Sequence, residues 1–219
     1  MASMNLLDYF FSNTQRPIHK NIHYFPIYER HFAPFVARPL VLFEIGCGRG
    51  GSLQMWKRFF GPNALIVGID INPNCAEFED EQVKICIGSQ SDTVFMQDVL
   101  DRFGRPDIVI DDGSHIMDDV NATFSWLYPR MSKHGIYLVE DLHTAYWTEF
   151  GGGFRKPGTF IERCKDLIDE LNADYTRGYL PETEFSVETI SMHFYDSVVV
   201  FERGATYDKR SVVTGDQKA

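Results

Sequence analysis

The chain has 219 residues, of which 44% are hydrophobic and 24% are charged, as expected for one globular domain with a sizeable core. Its 21 basic and 31 acidic residues leave a net charge of −10, which argues against nucleic acid or an anionic membrane as partner and favours a small or neutral substrate. No basic region followed by an apolar core begins the chain, and no apolar run is long enough to span a bilayer.

The N-terminal segment, about residues 1–38, is rich in aromatic side chains and is predicted to be mainly helical. Met1-Ala2-Ser3 is interpreted as an addition before a native start at Met4. Pro26 suits the first turn of a helix, where its missing N–H has no partner to lose. The apolar face of that helix is predicted to consist of Tyr28, Phe32, Phe35 and Val36.

Five short apolar runs then alternate with amphipathic helical patterns, which predicts repeated strand-helix units and a parallel sheet. The predicted strands cover residues 40–45, 65–69, 83–87, 108–110 and 136–139. Asp92 is a candidate N-cap for the helix after the third strand, because its carboxylate can accept a hydrogen bond from a free backbone N–H.

The pattern changes after an amphipathic helix predicted over residues 160–171. Two strand-like runs, 185–194 and 198–201, are separated by a turn at residues 195–197 and predict an antiparallel hairpin. The chain therefore predicts an α/β fold with a doubly wound, mostly parallel seven-stranded sheet that ends in this hairpin. Ligands of such sheets lie beyond the carboxyl ends of the strands.

Nothing in the sequence marks a second domain, so we expect one domain over residues 1–203 and a polar, disordered tail over residues 204–219. The four cysteines form no Cys-x-x-Cys pair. Neither a zinc knuckle nor a disulfide scaffold is therefore indicated, and we expect reduced thiols in the cytoplasm.

The first predicted strand ends in an acid followed by closely spaced glycines, in the stretch from Glu44 to Gly51. Glycine is needed where the backbone has positive φ or where a ligand comes closer than a Cβ permits. Gly46, Gly48 and Gly51 match the Gly-x-Gly-x-x-Gly pattern of dinucleotide sites, and Asp70 ends the next strand about where a ribose-binding acid is expected. A nicotinamide cofactor is thus one possibility, and a glycine turn without a ligand is another.

Glu44 favours a different cofactor, because a carboxylate at the strand tip repels a pyrophosphate but attracts an ammonium group. S-adenosylmethionine carries both an amino-acid moiety and a ribose with two hydroxyls. Glu44 near its amino end and Asp70 on its ribose would fit together. The candidate donor-binding residues are Glu44, Gly46, Gly48, Asp70, Ser89, Gln90 and Asp111.

The fourth and fifth predicted strands end in paired acids, Asp111-Asp112 and Glu140-Asp141. We expect both pairs to face the same crevice, where they repel each other unless they share a cation. An all-oxygen donor set favours a hard ion such as Mg²⁺, with Asp112 and Asp141 as the best candidate ligands. The alternative is that these acids cap the helices that follow.

His115 follows Asp112 by three residues, so a turn could bring its imidazole beside a hydroxyl held at the metal. Because histidine takes up a proton readily near neutral pH, His115 is the candidate general base, and His143 is a second candidate. The alternative is an ordinary surface or core histidine.

Residues 146–154, Tyr-Trp-Thr-Glu-Phe-Gly-Gly-Gly-Phe, combine aromatic rings with three glycines. This combination is typical of a mobile lid whose rings stack on sugars or polyketides. A connector that packs its rings inward is the alternative.

With these residues in view, the chain resembles the S-adenosylmethionine- and magnesium-dependent sugar O-methyltransferases of natural-product pathways, of the macrocin and mycinamicin type. It is also similar to the related cephalosporin-hydroxylase-like group. The resemblance covers most of residues 24–150. The matching stretches are Tyr28-Glu29-Arg30-His31-Phe32, Phe43-Glu44-Ile45-Gly46 with residues 52–57, Gly68-Ile69-Asp70, Ile110-Asp111-Asp112-Gly113-Ser114-His115, and Val139-Glu140-Asp141-Leu142 through Tyr146-Trp147.

The resemblance implies a Rossmann-like class I methyltransferase in which Asp112 and Asp141 bind the metal, Glu29 completes the metal site and His115 is the base. It implies transfer of a methyl group to a hydroxyl of a sugar or glycoside that is chelated by Mg²⁺ or another hard divalent cation. A homodimer is the expected assembly. Two alternatives remain: a nicotinamide-dependent oxidoreductase, and a non-enzymatic module that binds a metal or a nucleoside.

Overall fold

The computed structural model describes residues 5–205 and 209–215. The interpretation of Met1-Ala2-Ser3 lies outside the described residues. No helix within the described ranges is both long enough and apolar enough to cross a membrane.

A single seven-stranded sheet forms the centre of the molecule. Its strands are β1 Leu40–Ile45, β2 Ala64–Asp70, β3 Val83–Ile87, β4 Ile108–Asp111, β5 Ile136–Val139, β6 Thr189–Tyr195 and β7 Val198–Arg203. The spatial order is β3-β2-β1-β4-β5-β7-β6. The first five strands are parallel, and β7 runs antiparallel to both β5 and β6. The predicted fold is confirmed, and the bounds predicted for β1 to β5 hold within one residue.

Helices cover both faces of the sheet. They are α1 Leu6–Ser12, α2 Phe25–Phe32, α3 Gly51–Phe60, α4 Thr93–Phe103, α5 Met117–Leu127, α6 Phe160–Leu171 and α7 Glu184–Glu188. On one face, α1, α2 and α3 pack on an apolar core that contains Trp56. On the other face, α4, α5 and α6 pack on a second core that contains Phe124. Two separate apolar cores, one on each face, are what a doubly wound sheet requires.

Local hydrogen bonding sets several helix ends. Asp92 accepts hydrogen bonds from two backbone N–H groups at the start of α4, so its predicted N-cap role is confirmed. The helix predicted to extend to Val36 is shorter, because a 3-10 turn containing Pro34 follows α2, and proline removes a donor that a continuing helix needs.

The first part of the predicted strand 185–194 is wrong, because residues 184–188 form α7. Thr183 Oγ1 accepts a hydrogen bond from the Ser186 N–H, and the Ser186 hydroxyl accepts one from the Thr183 N–H. This reciprocal capping stabilises a helical turn, although Phe185 and Val187 alternate with polar residues as in a strand.

Candidate active site at the carboxyl ends of β1, β4 and β5

The strand order reverses between β1 and β4, which opens a crevice at their carboxyl ends. Gly46, directly after β1, has φ +84°, and a Cβ built on it would lie 2.0 Å from the carbonyl oxygen of Asp112. Glycine is therefore required at this position by both conformation and contact. The close approach brings the glycine loop against the acidic end of β4.

Asp70, the last residue of β2, lies against this glycine loop. One carboxylate oxygen of Asp70 accepts a hydrogen bond of 2.9 Å from the Gly48 N–H, and the other accepts one of the same length from the Asn72 N–H. Gly48 and Gly50 both have positive φ. The loop is therefore folded around the acid that the sequence predicts for ribose recognition.

Two clefts meet at Gly46. The wide cleft, of about 480 Å³, is lined by Pro17, Ile18, His19, Lys20, Gly46, Cys47, Gly48, Arg49, Ser52, Asp112, His115 and Asp141. The narrow cleft, of about 180 Å³, is lined by Ile45, Gly46, Ile69, Asp70, Ile71, Gly88, Ser89, Gln90, Gly113, Ser114 and Asp119. The metal-ligand candidates Asp112 and Asp141 and the candidate base His115 thus line one cleft, and the ribose-binding candidate Asp70 lies in the other.

Asp112, His115 and Asp141 form one cluster in the wide cleft, with potential ligand atoms within 4.8 Å of one another. His115 Nε2 lies 3.7 Å from Asp112 Oδ1 and 3.7 Å from Asp141 Oδ2. His115 and Asp141 have φ of +58° and +54°, a conformation that is costly for residues other than glycine and is concentrated at functional sites.

The cluster fits a hard divalent cation. One oxygen each of Asp112 and Asp141 lies within 4.8 Å of the other, near enough for both to bind one ion with bonds of about 2.0–2.6 Å, and His115 Nε2 lies beside them as the candidate base. The capping alternative is wrong for these acids, because Ile116 is the N-cap residue of α5, and Asp141 makes no side-chain capping bond to the 3-10 helix after it.

Hydroxyl and amide donors from the N-terminal segment orient Asp141. The Tyr24 hydroxyl donates a hydrogen bond of 2.6 Å to Asp141 Oδ1, and the Asn21 amide donates one of 3.2 Å to the same oxygen. Burial raises the pKa of Tyr24, so the phenol keeps the proton that it donates. These bonds leave Asp141 Oδ2 facing His115.

Lys20 is the residue that sequence reasoning missed. Its side chain is only 2% exposed, and its ammonium lies 2.6 Å from Asp112 Oδ2, 2.9 Å from Glu140 Oε2 and 3.6 Å from Glu44 Oε1. Burial alone would lower the pKa of Lys20, but the negative charges around it, Asp112 foremost, raise that pKa well above its usual value. The one available signal was charge balance, since the predicted acidic strand ends need a counter-cation.

Glu44 departs from its predicted role. It is fully buried and accepts hydrogen bonds from Ser52 Oγ at 2.7 Å and Trp56 Nε1 at 3.0 Å. Burial raises the pKa of Glu44, and the ammonium beside it belongs to Lys20. The cation beside Glu44 thus comes from the chain and not from a ligand as predicted, and Glu44 does not line either cleft.

Asp111 also lies beneath the site, because its carboxylate is 1% exposed and lines neither cleft. It accepts hydrogen bonds from Gln90 Nε2 and the Tyr137 hydroxyl, and burial raises the pKa of Asp111 to about 7. Gln90 in turn accepts the Ser114 N–H at 2.9 Å. Asp111 thus orients Gln90, rather than contacting the donor directly as predicted.

The other donor-binding candidate after β3 is Ser89. It lines the narrow cleft, and its hydroxyl lies 3.0 Å from the Ser91 hydroxyl. Its contact with the donor stays a prediction.

Glu29 is not part of the metal cluster. Its Oε1 accepts a hydrogen bond of 2.9 Å from the Leu6 N–H at the start of α1, and the cluster of ligand atoms at Asp112 does not include it. Glu140 lies closer to the site and bonds both Lys20 and the Tyr28 hydroxyl. Burial and, to a lesser extent, the negative charge of Asp112 raise the pKa of Glu140 to about 8, although the Lys20 ammonium opposes this rise.

The aromatic loop, residues 146–154, lies beside His115. The Phe150 ring centroid is 6.3 Å from that of His115, and Trp147, which is 46% exposed, packs near Phe150 and His143. The Gly152 N–H bonds the Trp147 carbonyl, and a Cβ on Gly152 would lie 2.6 Å from the backbone of Ala145. The exposure of Trp147 shows that this ring does not pack inward, so the connector alternative is wrong at that residue. Motion of the loop as a lid stays a prediction.

Comparisons with known proteins agree on one family, although no protein-family model matches the chain. The chain is 38% identical over 192 residues to an 8-demethyl-8-alpha-L-rhamnosyl tetracenomycin-C 2'-O-methyltransferase of Streptomyces olivaceus, covering 83% of this chain and 50% of that protein. It is 36% identical over 201 residues to a mycinamicin VI 2''-O-methyltransferase of Micromonospora griseorubida, covering 84% of this chain and 49% of that protein.

A solved structure of the MycE methyltransferase from the mycinamycin biosynthetic pathway, in complex with Mg, SAH and mycinamycin VI, superimposes with a TM-score of 0.79 at 32% identity. The match covers 93% of this chain and 54% of that one. The chain thus spans about half the length of the relatives that it matches. Over that half, it is similar in sequence and fold to macrocin- and mycinamicin-type sugar O-methyltransferases.

Proposed function

We propose that this protein transfers a methyl group from S-adenosylmethionine to a hydroxyl of a sugar or glycosylated small molecule, with a divalent metal at the site. The observation that carries the proposal is the cluster of Asp112, His115 and Asp141 beside the glycine loop. The cluster lies at the topological switch point of the sheet. It combines carboxylates that suit a hard ion with a basic nitrogen, and the glycine loop beside it suits a ligand with a nucleoside.

The donor is proposed to span both clefts across Gly46. Asp70 and Ser89 in the narrow cleft would contact the nucleoside, and the Gly48 backbone would pass beside the amino-acid portion. Gly46 allows a ligand to pass close to the backbone where the two clefts join. Such a placement would direct the reactive methyl group toward the side of the wide cleft that holds Asp112 and His115.

The reaction needs an acceptor hydroxyl to lose its proton as its oxygen takes up the methyl group. Asp112 and Asp141 would hold the divalent cation, which when bound supplies charge stabilisation for a developing alkoxide. His115 accepts the hydroxyl proton at Nε2, the nitrogen that faces both carboxylates. The Tyr24 hydroxyl and Lys20 keep the two carboxylates in place, so the site is organised before the acceptor arrives.

The acceptor class follows from the relatives and from the open side of the wide cleft. The relatives named above methylate hydroxyls of rhamnosyl tetracenomycin and of mycinamicin VI. In this chain, the half-exposed Trp147 and the Phe150 ring near His115 offer flat apolar surfaces, which suit the faces of a sugar ring or the aglycone attached to it.

Calorimetric titration of the metal-free protein with S-adenosylhomocysteine, with NADH titrated in parallel, tests the proposal first. We expect micromolar binding of S-adenosylhomocysteine alone, about −8 kcal/mol. Methyl transfer is then assayed on a panel of glycosides with Mg²⁺. Binding of NADH alone would favour an oxidoreductase, whereas donor binding without transfer to any glycoside would favour the non-enzymatic module.

A single catalytic domain over residues 1–203, a cytoplasmic location and a homodimer complete the proposal. The four cysteines are buried free thiols, as suits a reducing compartment. Ile190 and Phe194 are about half exposed on β6, one of the two edge strands of the sheet, and such a strand can pair with a second copy. Light scattering after size-exclusion chromatography checks the dimer, which Phe194→Lys should weaken.

A further inference from the structure

A second cluster of metal-ligating side chains lies away from the crevice. His31 on α2, His193 on β6 and Glu202 on β7 place one potential ligand atom each within 4.8 Å of the others. His31 precedes both His193 and Glu202 by 162 or more positions in the sequence. Only the fold therefore brings it to the hairpin. The proposed methyl transfer uses none of the three.

The separations within this cluster suit a tetrahedral ion. His31 Nδ1 lies 2.9 Å from Glu202 Oε1, and His193 Nε2 lies 3.4 Å from Glu202 Oε2. Ligands bound to zinc at about 2.0 Å with tetrahedral angles are roughly 3.3 Å apart. Small side-chain rotations would therefore bring all three ligands to one ion.

Neighbouring hydroxyls can fix the imidazole tautomers that metal binding requires. The Tyr195 hydroxyl lies 2.8 Å from His31 Nε2, so this nitrogen can keep its proton and donate it while Nδ1 binds an ion. Histidines that ligate metals usually have such a partner on the second nitrogen. Ser191 Oγ lies 3.0 Å from His193 Nε2 and donates to Glu202 Oε2, which provides a candidate fourth oxygen.

Charge and access also favour a ligand. His31 is 4% exposed and lies between Glu202 and the Tyr195 hydroxyl, so its ring is already held at the site. The Glu202 carboxylate supplies negative charge beside both imidazoles. The His193 side chain is 33% exposed and leaves a route for an ion from solvent.

We propose that His31, His193 and Glu202 form a binding site for a borderline divalent ion, Zn²⁺, separate from the hard-ion site at Asp112 and Asp141. Two nitrogens and one carboxylate select Zn²⁺ over Mg²⁺, whereas the oxygen-rich cluster has the reverse preference. The ion would fasten α2 to the β6-β7 hairpin. Because Tyr28 on α2 bonds Glu140, which bonds Lys20 in the wall of the wide cleft, occupancy would also restrain that wall.

The experiment titrates the full metal-free chain with Zn²⁺ in excess Mg²⁺ and follows calorimetry and thermal unfolding. We expect one Zn²⁺ per chain with a micromolar Kd and a raised Tm. His193→Gln should weaken binding at least tenfold, and Tyr195→Phe about tenfold. His115→Asn, which alters the other cluster, should leave Zn²⁺ binding unchanged.

Co²⁺ serves as a spectroscopic probe of the same site. A tetrahedral site with two imidazoles gives strong visible absorption, which His193→Gln should abolish and His134→Gln, at an exposed histidine, should keep. Failure of the parent chain to bind Zn²⁺ at micromolar concentration would overturn the proposal. Loss of Zn²⁺ binding in His115→Asn but not in His193→Gln would also overturn it, without affecting the proposed methyl transfer.

Discussion

Two residues of the wide cleft, His115 and Asp141, have left-handed backbone conformations. Each costs of order 1–3 kcal/mol for a residue other than glycine, so the surrounding structure must hold it in place. For Asp141, the Thr144 N–H and hydroxyl both bond its carbonyl oxygen, and Tyr24 bonds its side chain. These two backbone conformations place His115 Nε2 and Asp141 Oδ2 on the same side of the cleft, facing each other. We expect the reaction on that side.

Replacement of His115 tests its role as base. His115→Asn is preferred to alanine because asparagine tolerates positive φ, and we expect kcat to fall roughly 10²-fold or more, as for loss of a general base. Binding of S-adenosylhomocysteine should be unchanged in calorimetry. Asp112→Ala should abolish turnover by removing a metal ligand, and His143→Asn is the matched control. Near-normal turnover in His115→Asn together with loss in Asp112→Ala would refute the base and keep the metal role.

Removal of the Lys20 ammonium tests its part in the site. Lys20→Met leaves Asp112 and Glu140 without their counter-charge, so we expect the metal-free protein to lose about 3 kcal/mol of unfolding free energy in urea. Mg²⁺ should restore more stability to this variant than to the parent, because a divalent cation would meet uncompensated carboxylates. Lys165→Met, which removes an exposed pair with Glu162, should cost at most about 1 kcal/mol. Equal losses in the two variants would contradict the argument.

Asp112, His115 and Asp141 could be predicted from sequence because they directly follow strands whose apolar runs are unmistakable. Lys20 could not, since it lies in a stretch without helix or strand periodicity and reaches its carboxylates only through the fold. Glu44 shows the converse error. Its carboxylate was predicted to face the ammonium group of a ligand, because neither its burial nor the Lys20 ammonium beside it is visible in a local motif.

At the scale of elements, close contacts between strand ends and loops fix the crevice. The glycine loop after β1 touches the backbone after β4 at Gly46, and Gln82, Val83 and Lys57 converge on Asp80 before β3. The strand bounds could be predicted because buried parallel strands read as apolar runs. The start of the final hairpin could not, because the hydrogen bonds between Thr183 and Ser186 override the alternating pattern.

Gly46→Ala tests the contact between the glycine loop and β4. A Cβ there meets the Asp112 carbonyl oxygen at 2.0 Å, so we expect donor binding to be lost and the unfolding free energy to fall. Gly178 has similar positive φ, +87°, and a Cβ at that position would have no heavy atom within 4 Å. Gly178→Ala therefore reports the conformational cost alone, about 1–2 kcal/mol. Gly46→Ala should cost about 2 kcal/mol more, and equal costs would show that the contact is easily relieved.

The hydrogen bonds of Asp80 should make the stability of the β2-β3 connection depend on pH. Partial burial alone would raise its pKa, but hydrogen bonds from Lys57 and the Val83 N–H lower that pKa to about 2. The stabilisation is therefore fully present above about pH 4, the pKa of an unfolded aspartate, and is lost as the pH falls toward 2. In urea denaturation, Asp80→Asn should be about 1 kcal/mol less stable than the parent at pH 6.

The difference between Asp80→Asn and the parent should shrink steadily between pH 4 and pH 2. Asp98→Asn is the control, because Asp98 forms only an exposed pair with Arg102 and should show little difference at either pH. A difference that stayed constant across this range would assign the effect to lost packing rather than to charge.

At the scale of the whole molecule, the N-terminal segment joins the two halves of the site. Residues 13–21, between α1 and the 3-10 turn at residues 22–24, contain no regular secondary structure, yet Pro17 to Lys20 line the wide cleft. Arg16 stacks on Phe78, and the Pro17 carbonyl oxygen would lie 2.2 Å from a Cβ on Gly51. The chain thus crosses the glycine loop without a helix or strand to rigidify it, a path that no sequence periodicity could reveal.

Hydrogen exchange tests whether this segment responds to ligands. Its amides have few backbone partners, so residues 13–21 should exchange quickly in the free protein. S-adenosylhomocysteine in the proposed position would contact the wall that Pro17 and Lys20 form, and should slow this exchange by ordering the segment. Peptides from α6, which lies on the opposite face of the sheet, should be unchanged and serve as the internal control. Equal protection of both regions would indicate general stabilisation by the ligand, and protection of neither would place the donor away from the N-terminal segment.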